Sequence, residues 1–300
     1  MSIVINTNVD ALKVQNILSG ATDKLSESMQ RMSSGSKINS AKDDAAGCVI
    51  SARMNVQLSG NQICQNNVQS ANALLSTSEG NIDVVLDNVS RIRDLTLQAK
   101  NGTYSDHELE AMQKEIDERI AEIDRVSASA THSEIKLFGD TALKEDGITF
   151  QVGQNADEAG KTDNVIKVGA DLFKAVDFSS LTTSATQSTV GVKFDLRTIK
   201  SGTAGEGYGT FDQTISKLDD AINNLTNRKA MVGSAQSRLS SALDTLTTQY
   251  TNLSSANSII KDADIASEAS KFTQNQILQQ VSTSLLAQAN QSPSVALSLI

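Results

Sequence analysis

The stretch VQSANALLSTSEGNIDVVLDNVSRIRDLTLQA, from Val68 to Ala99, decides the fold. Its apolar residues recur at alternating steps of three and four, and only Ser78 and Thr96 interrupt them. Such a heptad pattern is typical of a helix that packs along a second helix in a coiled coil. The predicted seam residues are Val68, Ala71, Leu75, Ile82, Val85, Val89 and Ile92.

A second heptad pattern, nearer the C-terminus, supplies the partner. It runs from Ile215 to Leu253, again with gaps of three and four. Because the two patterns have similar lengths and flank a compact centre, they predict two long antiparallel helices. The partner seam includes Leu225, Val232, Leu239, Leu243, Leu246 and Leu253. The predicted fold class is mainly α, with long helices that pair as in a coiled coil.

The composition of the 300-residue chain excludes several classes of protein. Lys and Arg number 26 against 35 Asp and Glu, a formal charge of −9 that argues against nucleic acid as a partner. Aromatic residues make up 3%, there is no Trp and the single Pro is Pro293, so aliphatic helix contacts must supply the core. No run of about 18 apolar residues predicts a membrane span, and the N-terminus lacks the pattern of a Sec-type signal peptide.

The middle of the chain differs from both arms. Six of the seven Phe and ten of the 17 Gly lie between residues 138 and 211. Within this window, residues 147–153 and 164–169 predict two short strands. The predicted organisation is discontinuous, with an inner terminal helical domain of residues 1–42 and 263–300, a long-helix rod domain of 43–138 and 212–262, and a small β-rich part at 139–211.

The two ends carry thin apolar faces. Ordering about 70 residues costs on the order of 100 kcal/mol at roughly 1.5 kcal/mol each. A few buried aliphatic side chains, at roughly 1.5–3 kcal/mol each, cannot offset that cost in an isolated chain. We therefore expect both ends to be disordered or marginal alone and to fold against a partner. The residues predicted to pack there are Val14, Leu18, Leu25, Phe272, Ile277, Val281 and Leu285.

No catalytic or metal site emerges from the sequence. His107 and His132 stand in no zinc-ligand spacing. Asp43 and Asp44 are adjacent, so they point about 100° apart on a helix and favour its N-terminus rather than acid–base chemistry. The glycine-rich segment 202–209 lacks the Lys-Ser/Thr of a phosphate-binding loop. The prediction is a protein without enzymatic activity, cofactor or metal.

The two cysteines are interpreted as small hydrophobic residues. Cys48 and Cys64 lie 16 residues apart, which fits no zinc spacing. Along one helix that separation is roughly 24 Å, too far for a disulfide. An exposed Cys48 would be able to cross-link neighbouring subunits by oxidation.

Capping signals mark the helix ends. Ser40 with Asp43 predicts a capping box ahead of the long helix, and Ser105 with Glu108 predicts one ahead of the next helix. The turn residues Asn-Gly at 101–102 lie between these two capping boxes and predict the end of the long helix.

Several segments, in order along nearly the whole chain, closely resemble bacterial flagellin. Near the N-terminus they are residues 5–8 (INTN), 29–47 (MQRMSSGSKINSAKDDAAG) and 91–95 (RIRDL). In the centre and towards the C-terminus they are residues 150–153 (FQVG), 233–239 (GSAQSRL), 276–279 (QILQ) and 286–293 (LAQANQSP). The local departure is at residues 131–137, where THSEIKL replaces the Asn-Gly turn common in the family.

The resemblance implies a structural subunit that polymerises with itself into the extracellular flagellar filament for motility. It implies export, unfolded, by the flagellar type III apparatus, an export chaperone bound at about residues 265–300, and contacts with hook-junction and cap proteins. The segment 170–212 is too short for the large outer domains of many flagellins, so the expected protein is core-only. The resemblance also implies contact with the animal Toll-like receptor that senses flagellin, through Arg91, Leu95 and Glu115.

Two alternatives stay open from the sequence. The first is the hook–filament junction protein, a flagellin relative of similar length that does not form the filament. The second is an enzyme or adhesin displayed on a flagellin scaffold, for which the central window offers neither the length nor the residues.

Overall fold

The computed structural model contains five long helices and two small sheets among the residues that it describes. Those residues are 8–133, 135–138, 147–155, 164–169, 172, 196, 199 and 211–297. The helices are α1 (Val9–Ser34), α2 (Ala45–Ala99), α3 (Asp106–Ser129), α4 (Phe211–Lys261) and α5 (Ile265–Leu297). The strands are β1 (Thr131–His132), β2 (Ile135–Lys136), β3 (Ile148–Gln151) and β4 (Val165–Val168).

The chain divides into two compact units. The terminal unit is Met1–Ser59 with Gln249–Ile300, and the central unit is Gly60–Thr248. Both divisions fall inside long helices, α2 and α4. The boundaries predicted from sequence, at 42/43 and 262/263, concern domains of an assembled subunit and stay a prediction.

In the central unit, α2 and α4 run antiparallel. Three ion pairs join them. From one pair to the next, the residue number increases along α2 by the same amount as it decreases along α4. The pairs are Asp83–Lys229 (2.7 Å), Arg93–Asp219 (2.5 Å) and Lys100–Asp212. This constant register over almost five turns confirms the predicted antiparallel helices.

The core of the central unit follows the heptad pattern. The cluster of buried apolar residues extends from Cys64 to Leu246, and α3 contributes Leu109, Ile116 and Ile123 to it. The polar residues of the pattern, Ser78 and Thr96, are also fully buried. On α2 the predicted seam residues Val68, Ala71, Leu75, Ile82, Val85, Val89 and Ile92 are all buried. On α4 Leu225, Val232, Leu239 and Leu246 are buried, whereas Leu243 and Leu253 are half-buried.

The long helix α2 begins two residues later than its predicted capping box. The Asp43 carboxylate accepts hydrogen bonds from the backbone N–H groups of Ser40 and Asn39, which lower the pKa of Asp43, but this closes a turn and not the helix. Asp44 caps α2, since its Oδ1 accepts from Gly47 N at 3.0 Å. A Cβ on Gly47 would lie 2.6 Å from Ile38 Cδ1, so a larger residue there would have to displace the Ile38 side chain and the capping carboxylate of Asp44. The prediction of Ser40 as the cap was wrong because the pair of Ser40 with Asp43 closes a separate turn, and the next acid, Asp44, caps the helix.

The other helix signals were correct. Ser105 and Glu108 form the predicted reciprocal capping box at the start of α3. Helix α2 ends at Ala99, directly before the predicted turn.

Both predicted strands are present and pair antiparallel. β3 and β4 are in register from Ile148 opposite Val168 to Gln151 opposite Val165. A second hairpin, β1 with β2, was not predicted, and Ser133 in its turn has φ +49°. This is the left-handed region that Asn and Gly favour, so Ser133 is an unusual residue for this turn. The glycine-rich segment 202–209 lies outside the described residues.

The terminal unit is built on an antiparallel pair, α1 with α5. Asn8 Nδ2 donates to Ala289 O at 2.9 Å near one end of the pair, and Gln279 Nε2 donates to Thr22 Oγ1 at 3.3 Å in its middle. At the other end, Ala263 N donates to Gly35 O at 2.9 Å. In the same unit Ser51 Oγ on α2 donates to the amide oxygen of Asn257 on α4 at 2.7 Å.

The burial of the α2 seam leads to a first prediction. Leu75→Ala removes a fully buried side chain and should lower the free energy of unfolding by about 2–5 kcal/mol. Ser78→Ala should instead raise it by about 1 kcal/mol, because the buried hydroxyl of Ser78 has no hydrogen-bond partner. Denaturant unfolding followed by circular dichroism measures both. A loss of stability in Ser78→Ala would mean that the hydroxyl does have a partner in solution.

Candidate functional site

Exposed apolar side chains are concentrated in the terminal unit. Eighteen large hydrophobic residues are exposed among the described residues, and fourteen of them belong to this unit. Of the 30 buried apolar residues, in contrast, only Ala21 and Ile38 belong to it. The central unit therefore resembles an ordinary folded domain, whereas the terminal unit keeps its apolar surface on the outside, as expected for a surface that another protein covers.

Helix α5 turns a mixed side, and not its most apolar one, towards α1. Its less exposed residues step by four and three from Glu268 and include polar side chains such as Asn275, Gln279 and Ser282 beside apolar ones such as Phe272 and Leu286. We call this set, residues 268, 272, 275, 279, 282, 286 and 289, the pairing face of α5. The apolar residues Ile277, Leu278, Val281 and Leu285 lie on another side and are 42–55% exposed.

Of the residues predicted to pack at the two ends, some are half-buried in the structure and others are exposed. On α1, Val14, Leu18 and Leu25 are half-buried, at the spacing predicted, and Phe272 on the pairing face of α5 is half-buried too. Ile277, Val281 and Leu285 are exposed and do not lie on that face. Their packing in an assembled terminal domain stays a prediction, but α1 of the same chain is not what covers them.

Other elements of the terminal unit add to the exposed apolar surface. Helix α1 exposes four large residues and the first part of α2 exposes three, two of them, Val49 and Val56, seven residues apart on one side of the helix. The full set on these helices and on the end of α4 is Val9, Leu12, Ile17, Met29, Val49, Ile50, Val56, Tyr250 and Ile259. Apart from Tyr250, the side chains of this set are aliphatic or, in Met29, a thioether.

On the central unit, α2 and α3 present a charged cluster. Arg91 Nε lies 2.9 Å from Glu115 Oε1, and Arg119 Nε lies 3.2 Å from the same oxygen. The hydrogen bond from Arg91 holds the pKa of Glu115 below its usual value. Leu95 is only 2% exposed, because it lies on the buried side of α2. Of the three residues at the receptor-matching positions, Arg91 and Glu115 are on the surface and Leu95 is not available for contact.

The remaining candidates for chemistry are isolated. Cys64 is buried, and burial raises the pKa of its thiol, whereas Cys48 in the first turn of α2 is half-exposed. The imidazole of His107 is 95% exposed and lies 3.9 Å from Glu110. In the part of the chain that the structure describes, no three metal-ligating side chains converge, and no helix has the length and apolar character to cross a membrane.

Comparison with known proteins identifies relatives over the whole chain. The family described as the bacterial flagellin N-terminal helical region matches residues 5–142, and that of the bacterial flagellin C-terminal helical region matches residues 215–300. Polar flagellin F of Vibrio parahaemolyticus is 33% identical over all of both chains, and the flagellin of Bacillus subtilis is 34% identical over 99% of both. A solved V. parahaemolyticus structure, assigned as a flagellar hook-associated protein, is 14% identical, covers 73% of this chain and 99% of its own, and has a TM-score of 0.54. This last likeness concerns the fold alone.

The different burial of the two thiols leads to a second prediction. With a thiol reagent such as dithionitrobenzoate, Cys48 of the native chain should react at once, and Cys64 about a hundredfold or more slowly, because it reacts only after the central unit opens. Cys64→Ser should keep the fast phase and Cys48→Ser should remove it. Two fast thiols in the native chain would contradict the burial of Cys64.

Proposed function

The chain belongs to the bacterial flagellin family, and we propose that it polymerises with copies of itself into a core-only, extracellular flagellar filament that serves motility. One observation carries the proposal, namely the exposed apolar surface of the terminal unit. Copies that pack through this surface would each remove fourteen large side chains from water. Each such side chain contributes roughly 1–2 kcal/mol when an exposed half becomes buried.

The size of the chain supports a filament subunit without large outer domains. The flagellin of Bacillus subtilis, which has nearly the same length, aligns over 99% of both chains. The central unit supplies a folded body with its own core, whereas the terminal unit supplies the contacts between subunits. The paired helices of the central unit would then transmit torque along the filament.

Export and its partners form the finer part of the proposal. The family resemblance supports passage through the flagellar type III apparatus as an unfolded chain, with a chaperone on α5 before export. An exposed apolar face on α5 is a surface that such a chaperone would protect. Hook-junction and cap proteins would meet the same terminal unit at the two ends of the filament. Contact with the Toll-like receptor would use Arg91 and Glu115, which are exposed.

A third prediction tests the apolar face of α5. Purified monomer with short filament seeds or a precipitating salt should grow long, smooth filaments visible by electron microscopy. Val281→Asp should abolish elongation, because it puts a charge into the apolar face. Gln276→Asp adds the same charge to an exposed polar position of the same helix, outside the apolar face, and should elongate far better.

The outcomes separate the alternatives. Equal elongation by Val281→Asp and the unsubstituted chain would exclude this face as an assembly surface. A chain that elongates no seed, although its central unit is folded, would instead indicate the hook–filament junction protein.

A fourth prediction concerns order in the monomer. Backbone amides of α1 and α5 should exchange with solvent hydrogen within seconds in the monomer, since little apolar area holds the two helices together. Amides of α2 between residues 68 and 99 should exchange far more slowly. In filaments both sets should be protected. Slow exchange of the first and last 30 residues in the monomer would show that the terminal unit folds alone.

A further inference from the structure

A buried carboxylate stands out in a unit that has almost no core. Glu268 on α5 is 5% exposed, although its unit holds only two of the chain's buried apolar residues. It is the one fully buried residue with a charged side chain among the described residues. A buried charge lowers stability unless partners compensate it, so its contacts indicate what it does.

Both carboxylate oxygens of Glu268 have a cationic partner. Oε1 lies 3.7 Å from Nη1 of Arg31 on α1, and Oε2 lies 3.0 Å from Nζ of Lys271 on α5 itself. Arg31 also bonds Glu27 at 2.5 Å, and its buried Nε has no hydrogen-bond partner. The pair with Arg31 is therefore the ionic link between the two helices. The pair with Lys271 is a local i,i+3 contact.

The rest of the pairing surfaces defines the alignment of α1 and α5 poorly. The fully buried positions are small, Ala21 and Ser28 on α1 and Ser282 on α5. A shift of seven residues, about 10.5 Å along the axis, keeps the same sides of the two helices in contact. The shift that brings Met29 opposite Gln279 would leave Glu268 buried without a cation from α1, whereas the opposite shift would bring Lys24, one heptad before Arg31, to its side.

A backbone contact lies next to the ion pair. Gly35 ends α1 with φ +68°, and its carbonyl accepts from Ala263 N at 2.9 Å, while Lys37 N donates to Lys261 O at 2.6 Å. This bridge is one turn of α1 away from Arg31. Together they hold one end of the helix pair, and at the other end Asn8 contacts Ala289.

We propose that Arg31 and Glu268, supported by this bridge, are positioning residues that set the register of α1 against α5. The register determines how the exposed apolar residues of the two helices are aligned for a neighbouring subunit. That last consequence rests on the proposed function, but the register itself does not. Glu268 also lies in the first turn of α5, where the helix dipole favours a carboxylate, so a test has to separate pairing from this effect.

The test measures register by cross-linking in the full-length monomer. The osmolyte trimethylamine N-oxide is added because it favours burial and so orders the ends without polymerisation. In a background with Cys48→Ser and Cys64→Ser, Thr22→Cys with Gln279→Cys reports the native register, since the two side chains are in contact. Met29→Cys with Gln279→Cys reports a shift of one heptad. A short bismaleimide and gel electrophoresis give the ratio of native to shifted intramolecular product.

The proposal predicts a clear order among the variants. The native product should exceed the shifted one by about tenfold or more with Arg31 and Glu268 intact, and Glu268→Arg should bring the ratio close to one. Arg31→Glu combined with Glu268→Arg should raise the ratio well above that of Glu268→Arg alone, although the swap places like charges beside Glu27 and Lys271 and a cation where the helix dipole disfavours one. Lys271→Ala is the matched control and should leave the ratio unchanged, because it removes only the local partner.

Two results would overturn the proposal. One is a ratio that stays high in Glu268→Arg, and the other is a double variant that is no better than the single one. A failure of the unsubstituted chain to form filaments would overturn the proposed function and leave the cross-linking ratio as the measure of register.

Discussion

The buried seam between α2 and α4 is the interaction on which the rest of the structure depends. It brings together segments more than 100 residues apart, and ion pairs such as Asp83 with Lys229 keep its register constant. α3 and the β3–β4 hairpin add to the same cluster of buried residues. Because this cluster contains nearly all the buried apolar residues of the chain, the central unit alone has the means to be stable in isolation.

Much of the central unit was predictable because its pattern is periodic and its contacts are apolar. Every heptad position from Val68 to Ala99 is buried, including Ser78 and Thr96, since a seam between two helices leaves no other place for them. The two strands of the centre were also found, from alternation between glycines. The β1–β2 hairpin was missed because strands of two residues are too short to show a hydrophobic alternation. Ser133 is also not a residue type that predicts a left-handed turn.

The terminal unit was less predictable because the side of α5 that packs against α1 is not its most apolar side. Sequence reasoning placed Ile277, Val281 and Leu285 in the packing, on the general rule that a helix buries its apolar side. In the structure that side is exposed, and the side towards α1 carries Glu268, Gln279 and Ser282. Leu95, predicted as a receptor contact, is 2% exposed. A family position marks it as a contact, but the position alone says nothing of which side of α2 it occupies.

The exposure of the apolar side of α5 has a physical consequence for polymerisation. If its apolar side faced α1, the terminal unit would gain a core and fold alone, but little apolar surface would be left for a neighbour. With the mixed side inward, the pair gains less from its own contact, and much of the favourable burial is deferred to assembly. The free-energy cost of ordering both helices is then incurred during assembly. This cost lowers the affinity between free monomers and favours addition to an existing filament end, where several neighbours contact the new subunit.

The pair of α1 and α5, although it buries little apolar area, still has to form in one alignment. Polar contacts are suited to this because they are directional and costly to leave unmade. The exposed apolar side of α5 therefore supplies the stability of the assembly, and the polar contacts of its pairing side supply the geometry.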